Sequence, residues 1–475
     1  MTEVVMQTPI VREPRTSMPA ASSSPSSIAT ELTSASASVV AEYAAAFGAL
    51  VDAQAFAGES QWLGSLRRGA LRRLEEIGFP TTKNEDWHFT NPTPLTWRCF
   101  APDQNVTPGT VTAEQLAPYL FDGDWATVVF VDGRYDAALS RGVETNVSKG
   151  TIGSLREAFR DDLKTRMLER LIGGAASYQE NAFTALNTAF LQDGVFVHAP
   201  SDVTIGRPVH VLHVITADAR DRLVSPRTLI VADTHAALTV VESFVSFGET
   251  SHFTNAVSEV YLAPGARVRH YKIQREALDA VHVGSTYTHQ AQDSNYESFS
   301  FAVGASLSRT NISTVLDGPG AHATVNGVYM VAGTQTVDHQ TRIEHARENC
   351  TSHEVYRGIL DGESHGVFNG KVYVRPEAQK TDGKQSNNNL LLSDRAKIDT
   401  KPQLEIFADD VKCTHGATIG RLDPTALFYL KSRGVGTERA RQLLTYAFAA
   451  DVLEQITVEP VKARLEELAF ERFTA

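Results

Sequence analysis

THQAQDSNYESF, from Thr288 to Phe299, has a near-echo in EHARENCTSHEVY, from Glu344 to Tyr356, and Pro264-Gly265-Ala266 returns as Pro319-Gly320-Ala321, 55 residues further on. Self-similarity at a fixed spacing marks a repeat architecture, in which each unit buries its apolar face against its neighbours. The surrounding chain consists of short runs rich in Val, Ile, Thr, Tyr and Phe, such as VHVLHVI, TLIVA, AVSEVYL and GVFNGKVYV, punctuated by Gly, Pro, Asn and Asp. These are strand and turn signals. They continue from Val195 to about Gly420 without a convincing helix, which leaves a sandwich, a barrel or a solenoid. Two solenoid coils of roughly 27 residues each would generate the observed spacing, and a sandwich offers no reason for it. The expected class is mainly β: a right-handed parallel β-helix core, its handedness following from the general preference of parallel crossovers.

Helical patterns flank this core. From Val39 to Gly78, Trp62, Leu63, Leu66, Leu71, Leu74 and Ile77 fall on one side of a helix, with Arg67, Arg68, Arg72 and Arg73 read as a solvated opposite face. Phe79 to Leu95 is punctuated by Pro and Asn, and its Trp87 reads as an aromatic plug fixing the helices onto the next unit. A strand at Thr127 to Val131 and helical spacing over Ser154 to Leu191 follow. After the core, Asp423-Pro424 opens a helix closed by Gly434, and Thr437 caps a second, whose Leu443, Leu444, Phe448, Val452, Leu453 and Ile456 form an apolar face. A third lies near Glu459 to Phe473. The expected organisation is a disordered tail (1–38), a helical and mixed region (39–194), the β-helix (195–422) and a C-terminal helical domain (423–475). The ends of a β-helix expose unpaired strand edges, so the flanking helices are expected to cap them and to leave some apolar surface for a partner.

Composition excludes several function classes. With 44 basic and 56 acidic residues the formal net charge is -12, which disfavours nucleic acid or an anionic membrane as partner. No apolar run reaches the ~18 residues of a spanning helix. Three cysteines, Cys99, Cys350 and Cys413, are too few and too scattered for a disulfide framework and point to a reducing, cytoplasmic setting. The Ser-rich tail after Arg12 and Arg15 keeps a transit peptide, and so an organelle, as the alternative; Glu3, Glu13 and Glu31 count against it.

The densest polar chemistry is DDVKCTHGATIG, Asp409 to Gly420, with two carboxylates, Lys412, Cys413 and His415 inside seven residues. A neutral imidazole can ligate iron, so His415 is a candidate ligand; a hydrogen-bonded core histidine is the alternative. Cys413 shares its strand face and reads as an auxiliary ligand or a small buried hydrophobe. Asp409 and Asp410 would point to opposite faces of a strand, which disfavours an acid/base pair. His339, His345, His353 and His365 show no HxH or HExxH spacing and read as ladder packing. There is no GxxxxGK[ST] phosphate loop.

The runs DHQTRIEHARENCTSHEVYRGIL (from Asp338), GVFNGKVYVRPEAQKTDGKQSNNNLLLS, PQLEIFADDVKCTHGATIG and LFYLKSRG strongly resemble the SufB/SufD family of iron–sulfur cluster assembly scaffolds; FTALNTAFLQDG and the Lys83 to Trp87 segment fit its N-terminal half. In SufB-like members, glutamate follows the equivalent of His415 and a functional cysteine stands near Asn387 to Asn389; here Gly416 and asparagines take those places, so the chain resembles SufD. The resemblance implies a non-enzymatic scaffold subunit. It would pair through its β-helix with a SufB-like paralogue and dock a SufC-like ABC ATPase on its C-terminal helices, with a homodimer possible in isolation. It also implies a transient iron–sulfur cluster at the SufB interface, with His415 as metal ligand and Cys413 beside it, and a reduced flavin in the complex. Two alternatives stay open: the SufB-like paralogue, and a polysaccharide-processing enzyme on the same fold.

Overall fold

The computed structural model describes residues 25–102, 109–144 and 149–472. Helices come first: α1 (Pro25–Asp52), α2 (Gln61–Ile77) and the single turns α3 (Thr93–Thr96) and α4 (Ala113–Leu116). Next are β1 (Ala126–Val131), β2 (Arg134–Arg141), β3 (Thr151–Ser154), α5 (Leu155–Ala158), α6 (Asp162–Leu171) and α7 (Ala182–Ala189). The core then runs through β4 (Gly194–Ala199), β5 (Val209–Ile215), β6 (Leu223–Val224), β7 (Arg227–Ala232), β8 (Ala237–Ser246), β9 (Phe253–Leu262), β10 (Arg267–Arg275), β11 (Val281–Gln290) and β12 (Asn295–Ala302). It continues with β13 (Leu307–Leu316), β14 (His322–Val331), β15 (Thr336–His345), β16 (Thr351–Leu360), β17 (His365–Val374), β18 (Asp382–Leu391), β19 (Lys397–Ile406) and β20 (Lys412–Gly420). Helices α8 (Pro424–Ser432), α9 (Thr437–Leu453) and α10 (Glu459–Glu471) follow.

Strands alternate between two sheets, one ordered β2-β1-β5-β8-β10-β12-β14-β16-β18-β20 and the other β19-β17-β15-β13-β11-β9-β7-β4-β3, with β6 beside β9. The ladders are parallel apart from β1 with β2 and β3 with β4, so the chain winds as the expected parallel β-helix, two strands to a coil. Asn295 pairs with Arg267, 28 residues before it, and with His322, 27 after it, which accounts for the 55-residue echo. Later coils lengthen to 29, 31 and 30 residues, as His322, Thr351, Asp382 and Lys412 stack in turn. The echoed turns need their glycines: Gly265 and Gly320 have φ of 70° and 72°, where a side chain is strained.

Several boundaries differ from expectation. Helix α1 begins at Pro25, so residues 25–38, read as disordered, belong to a helix with proline at its start; residues 1–24 lie outside the described residues. Strands β1 and β2 extend the first sheet and β3 the second, because the apolar run ATVVFV pairs in parallel with β5. The sheets therefore reach back well before residue 195. Arg67 is not on a solvated face. It is 1% exposed, on the buried stripe Leu63, Arg67, Ala70, Leu74, and Glu59 takes its guanidinium at 2.7 and 2.9 Å. Trp87 is the plug expected of it, packed on Phe183 and under the Arg309 guanidinium at 3.9 Å.

The C-terminal helices do not cap the end of the β-helix. Ala449, Val452, Leu453, Val461 and Leu465 pack on the outer face of the first sheet, against Tyr271, Phe299, Val328, Ile359 and Leu390. Small residues, Ala440, Thr445 and Ala449, form the deepest face of α9, which lets it lie close; Leu443, Leu444 and Phe448 are half-buried. Asp423 caps α8 as expected, but Thr437 is the first helical residue of α9 and makes no capping bond. The last coil, β19 and β20, is left uncovered.

Its edges differ. Lys397 and Phe407 donate their N–H groups to Ser364 and Val374 on β17, so alternate residues between them share that side, and the N–H groups of Ile398, Thr400, Leu404 and Ile406 face outward. Pro402 falls in the outward set, where a missing donor costs no ladder bond and interrupts the edge. Pro402→Thr should keep the fold while increasing concentration-dependent self-association in sedimentation; an unchanged sedimentation profile would refute this gatekeeper role.

Candidate functional site

The open coil presents a face that would be interior anywhere else in the solenoid. Lys412 donates to Thr381, just before β18, so the backbones of Cys413, His415, Ala417 and Ile419 face the free edge of β20. Their side chains stand beside Gly383, Gln385, Asn387 and Asn389, the buried row of β18. With no further coil above, His415 is exposed and has no hydrogen-bond partner among the described residues, so it is not a hydrogen-bonded core histidine. The last coil also exposes apolar groups: Ile406, Phe407 and Ile419 are 38%, 57% and 53% exposed.

Cys413 lies on the same face but leans into a small core with Val372, Val374, Leu404 and Ala408. Burial raises its thiol above the usual range, so it is protonated at neutral pH and acts as packing. Asp409 and Asp410 are not on a strand; they are exposed in the turn before β20, where Asp410 exchanges bonds with Lys380 and Gln379. Lys412 is exposed at the start of β20. The other histidines do not gather into one site: His353 meets His322 edge-on, with ring centroids 5.7 Å apart. His339 stacks on Tyr329 and tilts against Tyr356, His345 bonds Ser352 at 2.8 Å, and His365 pairs with Asp399 at 2.7 Å. Burial pushes His339 down to about 3 and His345 to about 4, so both are neutral. Among the described residues no three metal-ligating groups converge.

Asn387 and Asn389, where a SufB-like thiol was looked for, form a closed network. Asn389 donates to Asn387 at 2.6 Å, Tyr329 donates to Asn389 at 2.6 Å, and Thr400 donates to Asn387 at 2.9 Å. Beside it Gln385 donates to the buried carboxyl of Glu354 at 2.6 Å. The sequence reading missed this pair. The signal was present: Glu354 stands in the inward register of Ser352, Tyr356 and Leu360.

A cleft of about 560 Å³ lies elsewhere, between the Glu85–Trp87 turn and the outer face of the second sheet. Its floor is an amide row, Asn311, Gln340 and Asn369, with Arg342 and Lys371 alongside. Lys401 holds Glu85 at 2.8 Å, and that hydrogen bond keeps its carboxyl below the usual range, the opposite of a general acid. Trp87 in this cleft is covered by the Arg309 guanidinium and by Phe183.

Fold and site define a β-helical platform, a solenoid left open at one end with an imidazole on the exposed face. A family description, "SUF system FeS cluster assembly, SufBD core domain", matches residues 213–448, and "SufBD protein N-terminal region" matches 41–211. The chain is 31% identical to the iron–sulfur cluster assembly SufBD family protein slr0076 of Synechocystis, over 86% of this chain and 91% of that protein. It is 32% identical to the iron–sulfur cluster assembly protein SufD of Escherichia coli (83% and 89% covered) and 29% identical to SufD of Bacillus subtilis (86% and 93%). The chain belongs to the SufBD family of iron–sulfur cluster assembly proteins. Among the described residues no helix is long and apolar enough to cross a membrane, which leaves β-barrels unaddressed.

Proposed function

We propose that the chain is a SufD-like, non-enzymatic scaffold subunit whose open β-helix end receives a SufB-like paralogue, with a nascent iron–sulfur cluster as the cargo at the shared end. The observation that carries this reading is the uncapped last coil, where His415 is exposed and, among the described residues, without a hydrogen-bond partner. His415 supplies a nitrogen ligand, and the partner supplies the thiolate: Cys413 is packed in a small core, and asparagines occupy the other thiol position. A SufC-like ATPase docks at the C-terminal helices. In support, α8 buries none of its residues and exposes Phe428 and Tyr429 at 72% and 57%.

His415→Ala tests the site. The variant should fold and co-purify with SufB-like and SufC-like partners as the wild type does, while reconstituted cluster yield falls by about tenfold, the scale on which loss of a metal-site group acts. An undiminished yield would remove His415 from the site. Failure to co-purify with either partner would overturn the scaffold reading itself.

A further inference from the structure

Behind His415 a line of side chains leads inward to a carboxyl. Val325, Glu354, Gln385 and His415 stand in register on β14, β16, β18 and β20. Glu354 is 1% exposed and Gln385 4%. Beyond the Gln385 to Glu354 bond, the second oxygen of each side chain lacks a hydrogen bond of normal geometry. Gly370 on the facing strand β17 makes room for the pair, since a Cβ there would lie 2.2 Å from Gln385 Nε2. The groups packed around Glu354 are the Thr341 hydroxyl, the Tyr356 phenol and, beyond these, the His339 ring tilted against Tyr356 at 5.2 Å. None is a cation: burial keeps His339 neutral and Tyr356 protonated.

A carboxyl in that place, with one amide and no counter-ion, is a poor structural element, because an ionised carboxylate without a cation is costly to bury. Buried ionisable groups of this kind gather where chemistry is tuned. We propose that Glu354, oriented by Gln385, is an electrostatic positioning residue for His415, placing a negative charge behind the imidazole that strengthens capture of a cation at the open coil. The inference rests on the reading of His415 as a metal ligand. Two strand spacings put the charge about 10 Å from the ligand, where at an effective dielectric near 40, between a protein surface and water as befits an exposed ligand, it is worth roughly tenfold in affinity for a divalent cation. Burial raises the Glu354 carboxyl to about 7, so the charge is largely absent at pH 6 and present at pH 8.

The test titrates Co²⁺ into the full-length chain at pH 6.0 and 8.0, comparing wild type, Glu354→Gln, Glu354→Asp and His415→Ala, each first checked for native circular dichroism. Glu354→Gln should bind about tenfold more weakly than wild type at pH 8.0 and equally at pH 6.0, with Glu354→Asp close to wild type at both. Equal binding by Glu354→Gln at pH 8.0, or the same deficit at both pH values, would overturn the proposal, the second outcome marking a purely structural effect. If His415→Ala binds like wild type, the ligand reading falls and this inference with it. If His415→Ala loses binding while Glu354→Gln does not, only the inference falls.

Discussion

Replacing Glu259 by alanine is expected to destabilise the protein by about 3–5 kcal/mol, the range for removing one partner of a fully buried ion pair. Glu259 and Arg227 are both inaccessible, and Arg227 Nη2 lies 2.6 Å from Glu259 Oε1. The carboxylate also accepts N–H bonds from Gly173, Ala175 and Ala176 in the loop between α6 and α7, at 3.0 to 3.2 Å. Arg227 reaches Asn187 of α7 at 2.9 Å, and Asn187 donates to the backbone of Pro226 and Asn255. This pair thus joins the N-terminal helices to the outer face of the second sheet. Its loss strands a guanidinium in the interface and leaves the Gly173 and Ala176 donors without an acceptor, while Ala175 keeps the Tyr261 hydroxyl at 2.6 Å. The measurement is the urea midpoint of Glu259→Ala; a midpoint within error of wild type would show that water or relaxation replaces the pair. Arg227→Met combined with Glu259→Leu should recover much of the loss, since no buried charge then remains.

Glu354→Gln should act in the opposite direction. The folded state holds this carboxyl at about 7 because burial outweighs the lowering effect of the Gln385 amide and the nearby Thr341 hydroxyl, whereas an unfolded glutamate titrates near 4.3. Between those values the folded chain carries the proton and the unfolded chain does not, so stability falls as pH rises from roughly 4 to 7 and stays lower above. The glutamine removes that titration and can still accept from Gln385. At pH 8 the variant should be more stable by about 2–3 kcal/mol, after allowing for one buried amide that gains no partner. At pH 5 the two should nearly coincide. Thermal midpoints at both pH values measure it, and a variant less stable at pH 8 would mean that Glu354 is ionised and paired in the fold. A stabilising substitution that weakens metal capture is the usual relation between a functional site and its host.

Much of the fold was legible because the solenoid writes its coil length into the turns, and Pro264-Gly265 and Pro319-Gly320 sit at equivalent corners. Where the interior turns polar, the signal fades. DGKQSNNNLL and KIDTKPQLEI are complete ten-residue strands, yet their inward residues include Gln385, Asn387, Asn389, Thr400 and Pro402, and only LLLS and LEIF read as strand. Arg67 was misplaced for a related reason: a charged residue on an apolar stripe looks like an interruption until Glu59, eight residues away in sequence, is seen beside it. Cys413 and His415 were legible as chemistry, and the resemblance supplied a role for His415. Only the packing of α9 and α10 separates the two, because it leaves the coil open and so exposes the imidazole while the thiol stays in a core. No local pattern records where a distant helix comes to rest.

That sideways packing also bears on how the protein breathes. In a stack where each coil touches only its neighbours, melting begins at an end and proceeds coil by coil. Helices α9 and α10 lie across the outer face of the first sheet from β10 to β18 and splint those coils to one another. The splint stops one strand short of the edge. The coil of β19 and β20 is therefore the layer that can fray without disturbing the rest, and a partner settling on that end would complete its folding as well as join it.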